Sequence, residues 1–265
     1  VTLDAGGGVN EYAFRTCFND SFQVSEAANY AVSKFGAERA VILRDSSSDY
    51  SKGLADAFAT TFTEGGGQVV GSVRTPPTEP NYTAYLRRLK DSKPDAAFFF
   101  VPPGSSMVSL AKEFKGMGLD QDGILEMGPG DLADENSLAA LGDAAVGMIT
   151  AFHYSEAHDS PENKRFVEAH YKAYPNDRPN FMEVAGYDGM HLIYEALKQT
   201  DGDASADKFM AAVKGMKWES PRGPVEIDAE TRDIIQNEYI RRIEEVDGKL
   251  QNVEFATYEA VKDPG

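Results

Sequence analysis

Side chains able to do covalent or acid–base chemistry are few in this chain, and none has the spacing of a catalytic motif. The four histidines, His153, His158, His170 and His191, form no H-E-x-x-H or comparable ligand spacing. The single cysteine, Cys17, excludes an intrachain disulfide and a cysteine metal cage; within Phe14-Arg15-Thr16-Cys17-Phe18 it reads as a small buried residue. No G-x-S-x-G elbow, no G-x-x-x-x-G-K-[ST] loop and no strand–turn–helix G-x-G-x-x-G occurs. Gly6-Gly7-Gly8 and Gly65-Gly66-Gly67 stand in the wrong context for phosphate binding. We therefore expect no enzyme, no metal and no cofactor.

The chain is richer in groups that hold a ligand without transforming it. Ser46-Ser47-Ser48 precedes Tyr50 and a helix-patterned stretch. It reads either as a solvated cap or as hydroxyls and backbone N–H groups suited to a carboxylate, and its place after a strand favours the second. Pro102-Pro103-Gly104-Ser105-Ser106 repeats that arrangement, and Gly128-Pro129-Gly130-Asp131 makes a third turn of the kind. His153, between Phe152 and Tyr154, stands where a further strand ends. Tyr187, in Ala185-Gly186-Tyr187-Asp188-Gly189, has glycines on either side that let another surface approach its ring. Tyr50 and Tyr187 read as core aromatics or as ligand contacts; their small and polar neighbours favour contacts. Trp218 reads equally as a lid or as packing.

The elements that would position these groups recur. Runs at Arg39–Leu43, Gln68–Val73, Ala96–Val101 and Gly123–Met127 return about every 28 residues, each followed by a helix pattern, which predicts βαβ units and a parallel sheet. The loops leaving the carboxyl ends of such strands are where ligands bind. Asp20 is placed to cap a helix whose apolar face is Val24, Ala27, Ala28, Ala31 and Phe35. A fifth run covers Val146–Phe152. Thr75–Pro80 reads as an extended loop. Helices are expected at about 161–174, 180–199 and 205–214, the first signalled by Ser160-Pro161. The chain ends in β segments with a hairpin signal at Asp247-Gly248.

With 265 residues the chain can bury a full core. A formal charge of −17 argues against nucleic acid and anionic membrane surfaces. No apolar run reaches the roughly 18–20 residues of a membrane span, so the chain is not expected to be membrane-spanning. No signal-peptide pattern follows Val1, so such a peptide is absent or already removed.

Taken in order, several segments resemble the type I periplasmic solute-binding proteins of ABC transporters, the leucine/isoleucine/valine-binding protein family. They are Phe14-Arg15-Thr16 with Asp20 and Gln23, Ala40–Leu43 through Tyr50-Ser51-Lys52-Gly53, Gly66–Gly71, Lys93-Pro94-Asp95-Ala96, Gly128-Pro129-Gly130 and Gly186-Tyr187-Asp188-Gly189. The resemblance implies an α/β, two-lobed type I periplasmic-binding-protein fold with parallel Rossmann-like sheets. Residues 1–22 and 152–235 would be the later part of the first lobe, and 23–151 the second lobe. Residues 236–265 would form a crossing segment and C-terminal β hairpin. Family members carry roughly a hundred further residues, the size of a small domain, before the position of Val1. The first lobe is thus expected to be incomplete here, without the serine and threonine that usually hold the ligand carboxylate.

The resemblance further implies ligand contacts at Tyr50, Pro103, Gly104, Ser105, Gly130, Asp131 and Tyr187, with Ser47 and Ser48 added from their place after a strand and His153 from its strand-end position. Amino-acid binders place a carboxylate for the ligand ammonium within one residue of Asp131; without it, a carboxylic or aromatic acid is favoured. The implied activity is substrate capture by hinge closure for an ABC uptake transporter. The protein would be periplasmic, or extracellular and lipid-anchored in a Gram-positive host. Its partners would be a small-molecule ligand and an ABC permease in the inner membrane, with no nucleic acid. The alternative is a ligand-sensing receptor or regulator domain of the same fold, of the amide or urea type.

Overall fold

The computed structural model describes residues 10–262 apart from 18, 48, 79 and 80, and leaves the Asp20 side chain undescribed. Gly6-Gly7-Gly8, Phe18, Ser48 and Glu79-Pro80 therefore lie outside the described residues.

Helix α1 (Asp20–Tyr30) is capped by Asn19, whose side chain accepts from the Ser21 N–H at 3.2 Å, so the cap stands one residue before the expected Asp20. Val24, Ala27, Ala28 and Ala31 are buried as their spacing predicts. Phe35 is not, at 44% exposure, because a π turn over Ala31–Phe35 widens the last turn and rotates that residue off the apolar face. Cys17 is exposed rather than buried, since it lies in an irregular bend outside any helix or strand.

The repeating units follow: β1 (Arg39–Asp45), α2 (Asp49–Glu64), β2 (Gln68–Thr75), α3 (Thr83–Asp91), β3 (Ala96–Phe100), α4 (Ser105–Gly116), β4 (Leu125–Pro129), α5 (Leu138–Leu141) and β5 (Ile149–Phe152). The five strands are parallel, in the spatial order β2-β1-β3-β4-β5. Alternate residues feed two cores, as in a sheet buried on both faces. Val41, Leu43, Ala97 and Phe99 face α3 and α4, whereas Ala40, Ile42, Phe98 and Phe100 face α1 and α2. Phe58 of α2 stacks on Phe98 at 4.4 Å, and Phe114 of α4 meets Phe99 edge-on at 5.5 Å.

Helices α6 (Pro161–Ala173), α7 (Phe181–Gln199) and α8 (Ala206–Val213) match the expected spans. Ser160 caps α6 by accepting from Asn163 N–H at 3.0 Å, with Pro161 in the first turn. Asn180 and Glu183 form a capping box at the start of α7. The chain then forms β6 (Lys217–Ser220), β7 (Gly223–Ile227), β8 (Ile234–Val246) and β9 (Lys249–Lys262). Strand β8 joins β5 antiparallel, carries β7 and β6 beyond it, and pairs β9 through the Asp247-Gly248 hairpin. Trp218 is packing rather than a lid: it is 9% exposed and donates from Nε1 to Asp188 at 2.9 Å.

Candidate ligand-binding site

The chain leaves β1, crosses by α2 to β2 on one side, then returns to β3 on the other side of β1. Strand order therefore reverses between β1 and β3, and a crevice opens outside their carboxyl ends. The N-termini of α2 and α4 flank it, each presenting a positive dipole end.

On the α2 side, Asp45 at the end of β1 is buried and organises the loop. Its Oδ1 accepts from the Ser47 N–H at 2.9 Å and the Ser47 hydroxyl at 2.8 Å. Its carbonyl accepts from the buried Ser51 hydroxyl at 3.0 Å and from Arg44 at 2.9 Å. Ser47 is thus held in an Asx turn, its hydroxyl proton directed at Asp45 and its oxygen still able to accept. Tyr50 is 47% exposed, and its ring stands edge-on to Phe100 at 5.3 Å. Phe100 ends β3, so this contact bridges the two strands between which the order reverses.

On the α4 side, Pro103, Gly104 and Ser105 are all exposed. Gly104 adopts φ +89°, a conformation that L side chains rarely tolerate, and its carbonyl accepts from the Val108 N–H at 3.0 Å to start α4. The next strand exit is more closed. Gly130 is buried, and a Cβ there would sit 2.1 Å from Phe152 Cγ, so only glycine fits. Asp131 follows in a single 3-10 turn, partly exposed.

Behind Gly130 lies a fully buried arginine, Arg241 of β8. It donates to Gly130 O at 3.1 Å, to the Thr150 hydroxyl at 3.1 Å and to Tyr154 O, and covers the Phe152 ring at 4.8 Å. Its carboxylate counterpart, Glu135, stands 3.9 Å away and is held by Asn252 at 3.1 Å. Burial pushes the Glu135 carboxyl up, with Arg241 opposing that shift. His153 is buried beside Phe152 at 4.4 Å between ring centroids. Burial, followed by the Arg222 and Arg241 guanidiniums, lowers its pKa well below the usual histidine range, so the ring is neutral.

Tyr187 lies on α7 and packs against α6. Its hydroxyl donates to Glu162 at 3.1 Å and its ring meets Phe166 at 5.4 Å, both on α6. Phe181, at the first position of α7, instead reaches the β5 exit, edge-on to Phe152 at 4.9 Å and to His153 at 6.0 Å. Sequence reading missed Phe181, whose only signal was an aromatic directly after the cap residue Asn180. It also missed Asp45 and Arg241, since nothing in a strand-end aspartate or a β-strand arginine announces burial.

The Gly186-Tyr187-Asp188-Gly189 segment has its buried centre at Asp188, not Tyr187. Asp188 accepts from Trp218, from the Ser220 hydroxyl at 2.9 Å and from Arg222 Nε at 2.8 Å, and pairs with Arg222 Nη2 at 2.6 Å. Arg222 also donates to Thr16 O at 2.9 Å, which fastens the N-terminal segment to β6 and β7.

Comparison with known proteins accords with this arrangement. Residues 1–249 match the family model described as periplasmic binding protein. The Leu/Ile/Val-binding protein homolog 6 of Brucella melitensis is 41% identical over 258 residues, which are 96% of this chain and 65% of the relative, so the chain spans under two thirds of that relative's length. A solute binding protein of an ABC transporter from Rhodopseudomonas palustris BisB5, solved with 3,4-dihydroxybenzoic acid, is 47% identical with a TM-score of 0.84, covering 95% of this chain and 68% of that one. A counterpart from R. palustris HaA2, solved with p-hydroxybenzoic acid, is 39% identical with a TM-score of 0.84, covering 93% and 67%. With its strand reversal, its sheet and a family match over nearly its whole length, the chain belongs to the periplasmic binding protein family, in its type I form.

Proposed function

We propose that this protein captures a small aromatic carboxylic acid in the crevice between β1 and β3, as the substrate-binding component of an ABC uptake transporter. The observation that carries this reading is Tyr50, exposed in the first turn of α2 with its ring against Phe100 at the end of β3. An aromatic acid needs a ring contact and donors for its carboxylate, and the two helix starts offer N–H groups for the latter. The benzoate-type ligands in the two R. palustris proteins support the same class. Ser47, Ser48, Pro103, Gly104, Ser105, Gly130 and Asp131 would complete this wall, with His153 and Phe181 at its β5 end and Tyr187 further along α7. Nothing in this set is an activated nucleophile, so binding rather than turnover is the reading. The protein would act in the periplasm and, closed over its ligand, dock on an inner-membrane permease; among the described residues no helix is long and apolar enough to cross a membrane.

A second reading, an α-amino acid ligand, is favoured by Asp131 at the β4 exit and by the name of the Brucella relative. Calorimetric titration with 4-hydroxybenzoate, 3,4-dihydroxybenzoate, benzoate and leucine separates the two. Binding of the aromatic acids, weakened at least tenfold by Tyr50→Ala, is the expected result. Binding of leucine alone, or a dissociation constant indifferent to Tyr50→Ala, would sink the aromatic-acid site.

A further inference from the structure

We propose that His170, Asp177 and Glu183 form a binding site for one divalent transition-metal ion of the zinc class, at the turn between α6 and α7. His170 lies in the last turn of α6, Asp177 in the connection, and Glu183 at the third position of α7. One nitrogen or oxygen from each lies within 4.8 Å of the other two. None of the three is hydrogen-bonded or ion-paired to another, so the donors converge without satisfying one another. Zinc holds nitrogen and oxygen ligands at about 2.0–2.2 Å, which places the donors of a tetrahedral site a little over 3 Å apart. The exposed Asp177 side chain is the one free to close that gap.

The His170 ring points to an ion independently of the acids. It is 8% exposed, packed among Phe166, Tyr171 and Tyr174, and its Nδ1 has no hydrogen-bond partner. Buried polar atoms are nearly always satisfied, so an orphan on a ring that also brings a nitrogen within 4.8 Å of two carboxylates calls for an external partner. Glu183 is already oriented: Oε2 accepts from the Asn180 N–H at 3.0 Å, and the carboxylate retains lone pairs for an ion. Arg178, the nearest cation in the turn, is turned away to Glu156 at 2.6 Å and to Leu250 O at 3.0 Å. The two carboxylates balance a divalent charge, and the imidazole supplies a nitrogen donor. The mixed nitrogen and oxygen donors select zinc, cobalt, nickel or manganese over calcium and magnesium. Three protein ligands leave a position for water or a small anion. The intervals of seven and six residues cross a helix, a turn and a cap, so no linear spacing rule detects the site.

Isothermal titration of the protein with zinc chloride, with calcium chloride in parallel, tests the proposal. The expected result is one zinc ion per chain, negligible calcium binding, and affinity reduced at least tenfold in both His170→Gln and Asp177→Asn. Asp177 is exposed, so Asp177→Asn decides the matter even if His170→Gln fails to fold. Absence of zinc binding, calcium binding of equal strength, or zinc affinity unchanged in Asp177→Asn would each overturn it.

Discussion

Tyr50 and Glu126 represent two ways in which one residue's surroundings direct its chemistry. Tyr50 remains 47% exposed although its ring makes a T-shaped contact with Phe100. Glu126 has the opposite environment: it lies inside β4, and its Oε1 is buried without a partner beside a cavity of about 330 Å³ shared with Lys115 and Asp120. Burial pushes its carboxyl up to about 8, with Lys115 opposing and Asp120 adding to the shift. The folded chain therefore keeps a proton that the unfolded chain releases above about 4.5. Stability is at its fullest below that value and declines as pH rises toward 8, by roughly 3–5 kcal/mol across the window if unrelieved. Glu126→Gln should raise the melting temperature at pH 8 by several degrees and change it little at pH 4.5. An equal shift at both pH values would show that the carboxyl is not held protonated.

The elements divide into those whose signals are local and those fixed by distant partners. Strands β1 and β3 were legible because a parallel strand buried on both faces must be largely apolar, as Ala96–Phe100 is, whereas β2, at the sheet edge, was legible from its β-branched run after Gly65-Gly66-Gly67. Helices α6 and α7 were legible from Ser160-Pro161 and from their apolar period. The π turn at Ala31–Phe35 was not, since nothing in Ala31-Val32-Ser33-Lys34-Phe35 distinguishes it from another α turn. Of the candidate site, the glycine and serine turns could be read from their places after strands. The pairing of Gly130 with Phe152, and the reach of Phe181 to the β5 exit, depend on which helix face meets which strand. Asp188 is the clearest case of an element held from afar, because α7 is tied to β6 and β7 through its contacts with Trp218, Ser220 and Arg222. Asp188→Ala leaves the Arg222 guanidinium buried without its carboxylate, and should lower unfolding free energy by about 3–5 kcal/mol in urea melts. A loss below about 1 kcal/mol, the value of an exposed pair, would contradict that role.

At the scale of the whole molecule, one sheet runs from β2 to β6, and its parallel part meets its antiparallel part where β5 pairs with β8. That seam carries the Arg241, Thr150, Glu135 and Asn252 network behind the β4 exit, which holds Gly130 in place through its carbonyl. Helix α7 exposes Met182, Met190 and Tyr194 in a chain that spans 65% of its Brucella relative's length. The strand reversal was not visible in the sequence, because the period of βα units states how many strands exist but not on which side each is added. The central claim, that ligand binds where the order reverses, is tested most directly by mapping amide NMR shifts during titration with 4-hydroxybenzoate. The account predicts the largest changes at Ser47, Tyr50, Gly104, Ser105 and Gly130. Changes confined to another part of the molecule, such as the cavity of about 380 Å³ lined by Trp218, Val225 and Asn237, would contradict it.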